Sequence, residues 1–180
     1  SVSDMIKKLS EKKLVSYKKY HGVHLTSKGK KIAASVIRKH RLWEVFLVDK
    51  LNFSWDEVHE VAEQLEHIES EKLINQIDAL LDFPTHDPHG DPIPDASGNL
   101  KTIDKMLLSK LEKSEKGTCV GVDDSSADFL QLLDSKGITI GKEITVIDKE
   151  NFDDSLLIKV DEKQLSISNK IANNLYVKKL

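Results

Sequence analysis

The sequence predicts a mainly helical chain with small β parts, ordered as the tail of a winged helix-turn-helix, a helical block and a C-terminal small β-barrel. Three observations predict it. Apolar residues recur at helical spacing through most of the first half. A lysine-rich hairpin pattern interrupts them once, ahead of Thr26. From Gly117 onward, short strand-like runs replace them.

Val2, Met5, Ile6 and Leu9 fall at i, i+3, i+4 and i+7, one stripe of a short opening helix that faces a core. Lys7, Lys8, Lys12 and Lys13 occupy its other faces. Leu14-Val15-Ser16-Tyr17 and Val23-His24-Leu25 flank a lysine-rich turn that ends at Gly22, which predicts a hairpin. Thr26 is placed to cap a helix from about Ser27 towards Lys50, with Ile32, Val36, Ile37, Trp43, Phe46 and Leu47 inward. Helix, basic hairpin, helix is the tail of a winged helix-turn-helix, assigned to residues 1–36.

A helical block follows over residues 37–112. Ser54-Trp55-Asp56-Glu57 has the capping-box pattern, and Val58, Ala62, Leu65 and Ile68 mark the buried stripe behind it. Ser70 is placed to cap a helix from Glu71 to Leu81 with Leu73, Ile74, Ile77 and Leu80 apolar, and Pro84 stops it. Such a block suits a dimer interface, and equally a monomer core. Residues 83–99 read as a loop punctuated by Pro84, Pro88, Gly90, Pro92, Pro94 and Gly98. A short amphipathic helix is expected over Ile103–Leu111, then a polar linker from Lys113 to Lys116. The third unit, residues 117–180, carries strands at Thr118–Val122, Glu143–Asp148, Leu156–Val160, Gln164–Ile167 and Leu175–Lys179, with one helix at Ser125–Asp134.

Composition bounds the function. Of 180 residues, 39% are hydrophobic and 32% charged, as in a globular protein rather than a disordered one. No apolar run approaches the ~20 residues a membrane helix needs, and no signal peptide opens the chain. Cys119 is the single cysteine, so a reducing cytoplasm is the expected setting. The net charge of −3 hides a segregation: residues 1–50 hold 13 Lys and Arg against 4 Asp and Glu, while residues 51–100 hold 1 against 12. A basic block favours a polyanion, since each neutralised phosphate releases a counterion. An acidic block suits hard cations, or is a solvated surface.

The acidic block contains His59-Glu60-Val61-Ala62-Glu63-Gln64-Leu65-Glu66-His67. At ~100° per residue, Glu63, Glu66 and His67 stand at about 40°, −20° and 80° from His59, all on one helix face. His40 and Glu44 sit at i and i+4 on the preceding helix. Carboxylate and imidazole together can hold a divalent transition ion, because both supply lone pairs and the carboxylates offset its charge. The same residues also occur on solvated helix faces, so spacing alone leaves both readings open.

The chain resembles the diphtheria-toxin-repressor family, in its manganese-regulator branch. The resemblance is carried by Val2-Ser3 through Lys7-Lys8-Leu9, Leu25-Thr26-Ser27-Lys28-Gly29 and Arg38-Lys39-His40-Arg41-Leu42-Trp43-Glu44. It continues through Val58-His59-Glu60 to Glu66-His67, Pro88-His89-Gly90-Asp91-Pro92-Ile93-Pro94, and Phe129-Leu130 to Gly137-Ile138-Thr139-Ile140-Gly141, where the last domain resembles the family's SH3-like (FeoA-like) barrel. It implies that Glu63, Glu66 and His67 belong to an activating metal site, and His40, Glu44 and His59 to a neighbouring one. In some relatives the second site draws on positions held here by Asp87 and His89, plus an acid for which Asp124 and Asp128 are the candidates. Glu63 stands where iron-responsive relatives carry cysteine, so the set is all oxygen and nitrogen and favours Mn²⁺ or Fe²⁺, with Zn²⁺ able to bind in vitro. The resemblance also implies that Ser1 lies inside the recognition helix, with no counterpart here for the family's first helices, so that the chain is read as part of a longer protein.

The implied function is a metal-activated transcriptional repressor that acts as a cytoplasmic homodimer on palindromic double-stranded DNA in manganese or iron homeostasis, with neither a membrane nor a small organic substrate as partner, and not an enzyme. Ser1, Ser3, Asp4, Lys7 and Lys8 on the opening helix, with Lys18, Lys19 and Lys28 on the wing and its end, are the expected DNA contacts. The alternatives are a metal-dependent hydrolase, which needs an open coordination position and a cleft, and a metal-buffering module that never touches DNA.

Overall fold

Thr26 shows how the N-terminal unit is assembled. In the computed structural model, which describes residues 1–18 and 22–180, its Oγ1 accepts the Gly29 N–H at 3.0 Å and donates to the Lys13 carbonyl at 2.7 Å. One hydroxyl thus caps helix α2 (Ser27–Leu51) and ties it to the end of helix α1 (Val2–Glu11). Between them, strands β1 (Val15–Lys18) and β2 (Gly22–Leu25) pair antiparallel with Val15 opposite Leu25. The predicted helix, hairpin, helix order is present. The α1 stripe does not face a core, however: Val2 and Met5 are 77% and 64% exposed, because α1 rests mainly on β1 and no described residue covers its other side.

α2 is continuous over 25 residues, and its burial changes along its length. Ile32, Val36 and Ile37, expected inward, are exposed. The packed layer begins at Arg38, which is itself buried and donates to Asp78 at 2.6 Å. Beyond it Leu42, Trp43, Val45 and Leu47 form a core with Val58, Ala62, Ile74, Ile77 and Ile93. Helix α3 spans Val58–Leu65 and α4 spans Glu71–Leu80, the latter capped by Ser70 as expected. Only half of the expected capping box forms at Ser54: its N–H donates to the Glu57 carboxylate at 3.2 Å, and a turn occupies Trp55–Glu57 before α3 starts.

The C-terminal unit is a six-stranded antiparallel sheet in the order β3-β8-β4-β5-β6-β7. Its strands are β3 (Met106–Leu107), β4 (Lys116–Val122), β5 (Glu143–Lys149), β6 (Leu156–Val160), β7 (Lys163–Ile167) and β8 (Leu175–Lys179), with helices α5 (Ala127–Lys136) and α6 (Asn169–Ala172). Irregular pairing at Cys119/Gly121 and Val146/Asp148 bends the sheet around a second core that includes Leu130, Leu133, Ile138, Ile144 and Ile158. The helix expected over Ile103–Leu111 is not formed. Met106–Leu107 instead pairs with β8, and a single 3₁₀ turn, Leu108–Lys110, brings Leu108 and Leu111 into the core three residues apart. Residues Lys113–Lys116 are not a linker either: Ser114 N–H donates to the Val146 carbonyl at 2.8 Å and Val146 N–H to that of Glu115 at 3.0 Å.

Cys119 is buried in the sheet core, and burial pushes its thiol up to about 11. The native protein should therefore leave Ellman's reagent unconsumed at pH 8, where only ~0.1% of the thiol is ionised, and should react with one equivalent once unfolded in urea. Fast reaction of the native protein would show that the core around Cys119 opens.

Candidate metal centre

A carboxylate that is almost wholly buried must find partners, because an isolated charge in a core is too costly to keep. Glu44, 2% exposed on the third turn of α2 past Ile32, finds three imidazoles. His40, one turn earlier on α2, donates from Nε2 to Glu44 Oε1 at 3.0 Å. Its Nδ1 lies 2.7 Å from Glu66 Oε2, beyond the last turn of α3. With carboxylate oxygens beside both ring nitrogens, the charged imidazole of His40 is favoured, and the Glu44 hydrogen bond above all raises its pKa. His59 of α3 reaches the same oxygen, Nδ1 to Oε1 at 3.4 Å, and lies 3.2 Å from His40 Nε2.

The third imidazole comes from the proline-punctuated loop. Asp87 organises that loop: its Oδ1 accepts the N–H groups of His89 and Asp91 at 2.8 and 3.0 Å, and its Oδ2 faces Arg41 Nε at 3.3 Å. Arg41 also donates to Asp91 and to the Pro92 carbonyl. His89 Nε2 donates to the Trp55 carbonyl at 2.7 Å, since a carbonyl can only accept, so Nδ1 is the nitrogen turned to Glu44 Oε2 at 3.8 Å. Burial disfavours the charged imidazole, but Glu44 outweighs it and His89 is raised. Burial likewise opposes ionisation of Glu44, yet the His40 and His89 hydrogen bonds win and hold it at about 2. Asp87 has no such excess of partners: burial, then repulsion by Glu44, pushes it up to about 6.

Two groups of donor atoms therefore meet at Glu44, each with all atoms within 4.8 Å of one another: His40, Glu44 and His59, and Glu44, Asp87 and His89. Donors held at ~2.1 Å around one octahedral ion stand ~3 Å apart, close to the separations of the first group. An all-nitrogen-and-oxygen set with a shared carboxylate fits a divalent ion of the manganese or iron kind. Binding would compete with the hydrogen bond between His40 and Glu44, so metal affinity would fall as pH is lowered.

Of the other residues expected from sequence, Glu66 joins His40, whereas Glu63 and His67 are exposed and lie in neither group. The α3 helix ends at Leu65, so the single helical face drawn from His59 to His67 stops short of His67. Asp124 folds back to accept the Ser126 N–H at 2.8 Å, and Asp128 is exposed on the first turn of α5. On the basic unit, Ser1 caps α1 with Asp4 in a reciprocal capping box, Ser3, Lys7 and Lys8 are exposed, and Lys28 lies 3.5 Å from the Lys12 carbonyl. Lys18 ends β1, and Lys19 lies outside the described residues. Sequence reasoning missed Arg41 and Trp55 as organisers of the centre; the signal for Arg41 was its place next to His40 in the 38–44 motif.

Residues 26–95 match the family described as "Iron dependent repressor, metal binding and dimerisation domain", and residues 106–179 match the FeoA domain. A solved manganese-dependent transcriptional repressor in complex with manganese superposes with a TM-score of 0.89 at 35% identity, covering 99% of this chain and 83% of that one. The iron-dependent repressor IdeR of Mycobacterium leprae is 37% identical over 94 residues, 52% of this chain and 41% of IdeR. A probable metal transport system membrane protein of Chlamydia trachomatis is 43% identical over 86 residues, 48% of this chain and 19% of that protein. The chain thus spans less than half the length of these two curated relatives.

The linked protonation of Glu44 and its imidazoles predicts a pH signature for metal-free protein. Glu44, depressed from 4.5 to about 2, adds stability that is full above 4.5 and lost as pH falls through 2. His40 and His89, raised above 6.5, add stability that is full below 6.5 and lost as pH rises through their folded values. The advantage of wild type over Glu44→Gln in urea melts with chelator should peak between pH 4.5 and 6.5 at ~3 kcal/mol, less the relief given to Asp87, and shrink on both sides. A flat difference would show that the cluster is not coupled.

Proposed function

The chain belongs to the iron-dependent repressor family, which includes the diphtheria toxin repressor, and from that premise we propose that it is a metal-activated, DNA-binding transcriptional repressor that works as a homodimer. IdeR, the diphtheria toxin repressor and the manganese-dependent repressor are transcriptional repressors rather than enzymes. The observation that carries the proposal is the convergence of His40, Glu44, His59 and Glu66 from two helices on one small volume, with His89 from a third segment. Mn²⁺ is the first choice and Fe²⁺ the second, since no thiol stands in either donor group among the described residues. Glu63 and His67 would complete an activating site beside Glu66. Similarity over 86 residues to a probable metal transport system membrane protein favours control of metal uptake as the output.

In this reading residues 1–36 and 37–105 form the first two units, and the third begins at Met106 rather than at 117, since β3 pairs with β8 and Leu108 and Leu111 pack in the sheet core. Exposed apolar side chains of α4 and its C-terminal flank, Leu73, Leu80 and Phe83, with Leu51 at the end of α2, would supply the surface for a second subunit. α1 and the hairpin would enter and flank the DNA groove, with Ser1, Ser3 and Asp4 at the leading turn of α1 and Lys7, Lys8 and Lys28 towards phosphates. The ion ties α2 to α3, so metal favours the arrangement in which two reading heads match two half-sites.

In the full-length protein, Mn²⁺ should raise operator affinity roughly 5- to 150-fold, the range of ~1–3 kcal/mol coupling, and His40→Ala or Glu44→Gln should abolish that gain in a mobility-shift titration. Retained stimulation in both variants would sink the proposal. Salt titration gives a second check. Replacing Lys7 and Lys8 by alanine should flatten the slope of log K against log salt by roughly 0.9 for each phosphate no longer neutralised, while leaving Mn²⁺ affinity unchanged. A wild-type slope near zero would instead point to a metal-buffering module.

A further inference from the structure

His89 is gripped twice by the C-terminal unit, although its side chain faces the helical one. Its carbonyl accepts the Val122 N–H of β4 at 3.0 Å. The next residue, Gly90, has φ +86° and lies so close to β4 that a Cβ there would stand 2.1 Å from the Val120 carbonyl oxygen. Its ring is held through Trp55. The Trp55 carbonyl takes the Nε2–H at 2.7 Å, and the indole lies nearly parallel to the imidazole, 14° between planes and 6.3 Å between centroids.

Trp55 is in turn anchored to the C-terminal unit. Its indole packs against the sheet core, and its Nε1 donates to Asp134 Oδ2 of α5 at 3.0 Å. The neighbouring Asp56 accepts from Gln131, also of α5, at 2.7 Å. The turn Trp55–Glu57 is thus fastened to the C-terminal unit at two successive residues.

We infer that Trp55 is a positioning residue for the metal centre: anchored on the C-terminal unit, it locks His89 with Nε2–H outward and Nδ1 towards Glu44. By this route the C-terminal unit sets the affinity of the Glu44–His89 group through a ligand it does not itself carry. A hydrogen bond from the far nitrogen of a ligating imidazole fixes its tautomer and orientation, and loss of such a partner typically weakens metal binding ~10- to 100-fold. Because the acceptor is a backbone carbonyl, substitution acts by freeing the turn rather than by deleting the acceptor. The low end of that range is therefore expected. The inference rests on the metal reading of the Glu44–His89 group.

Calorimetric titration of the full chain with Mn²⁺ alone tests it. Trp55→Ala should weaken binding about tenfold. Trp55→Phe, which keeps an aromatic anchor, should recover most of that loss, and Asp134→Ala should cost a smaller factor of about three. In a His89→Ala background, Trp55→Ala should cost nothing further. In metal-free protein, at a pH high enough to leave His89 neutral, ring ¹⁵N spectra should show His89 protonated at Nε2 in wild type and Trp55→Phe, and a mixture of tautomers in Trp55→Ala. If Trp55→Ala costs as much without His89 as with it, or leaves Mn²⁺ binding and the tautomer unchanged, the positioning role is wrong. If His89→Ala binds Mn²⁺ as wild type does, the metal reading of this group has failed instead. Should Trp55→Ala not fold, Asp134→Ala carries the same cycle at its smaller factor.

Discussion

A single buried carboxylate sets the terms for the rest of the molecule. Glu44 sits in the helical core beside Leu42, Trp43 and Val45, where its charge can persist only if cationic or protic groups surround it. His40, His59 and His89 do so, from three different segments. Each of those segments is placed by something other than Glu44: α2 by its own helical register, α3 by Val58 and Ala62 in the core, and the loop by Arg41 and Asp87. The imidazoles are thus prearranged rather than drawn in.

That arrangement explains why the sequence was legible in some places and opaque in others. Periodicity located α2 and α4, because each buries a stripe against neighbours on its own chain. The strands from Glu143 onward were legible for the same reason, since alternation maps onto one buried face. It failed over Ile103–Leu111, where Leu108 and Leu111 keep helical spacing but edge pairing with β8 captures Met106 and Leu107. On α1 and the first half of α2 it gave the helices but not their burial, because the apolar spacing is present and no described neighbour uses it.

The centre was half legible. His40 and Glu44 stand one turn apart, and His59 and Glu66 two turns apart, so helical spacing groups each pair. Whether the two pairs meet is a tertiary fact, set by how α2 crosses α3. His89 lies far along the chain in an irregular loop, and only family resemblance pointed to it. Trp55 acts through its carbonyl, a group every residue possesses, so no sequence pattern marks it. Asp87, taken from resemblance as a possible ligand, has both oxygens engaged by the loop's own N–H groups and by Arg41.

The unbroken course of α2 has a mechanical consequence. Its capped end at Thr26 abuts the hairpin, and fourteen residues on, at ~1.5 Å each, the same rod passes His40, so ~20 Å of stiff helix separates the wing from the ion's coordination shell. A swivel of only ~5° about the inner end carries the outer end ~2 Å sideways over that length. In the proposed reading, a small reorientation of α2 where it carries His40 and Glu44 would therefore be enlarged at its capped end.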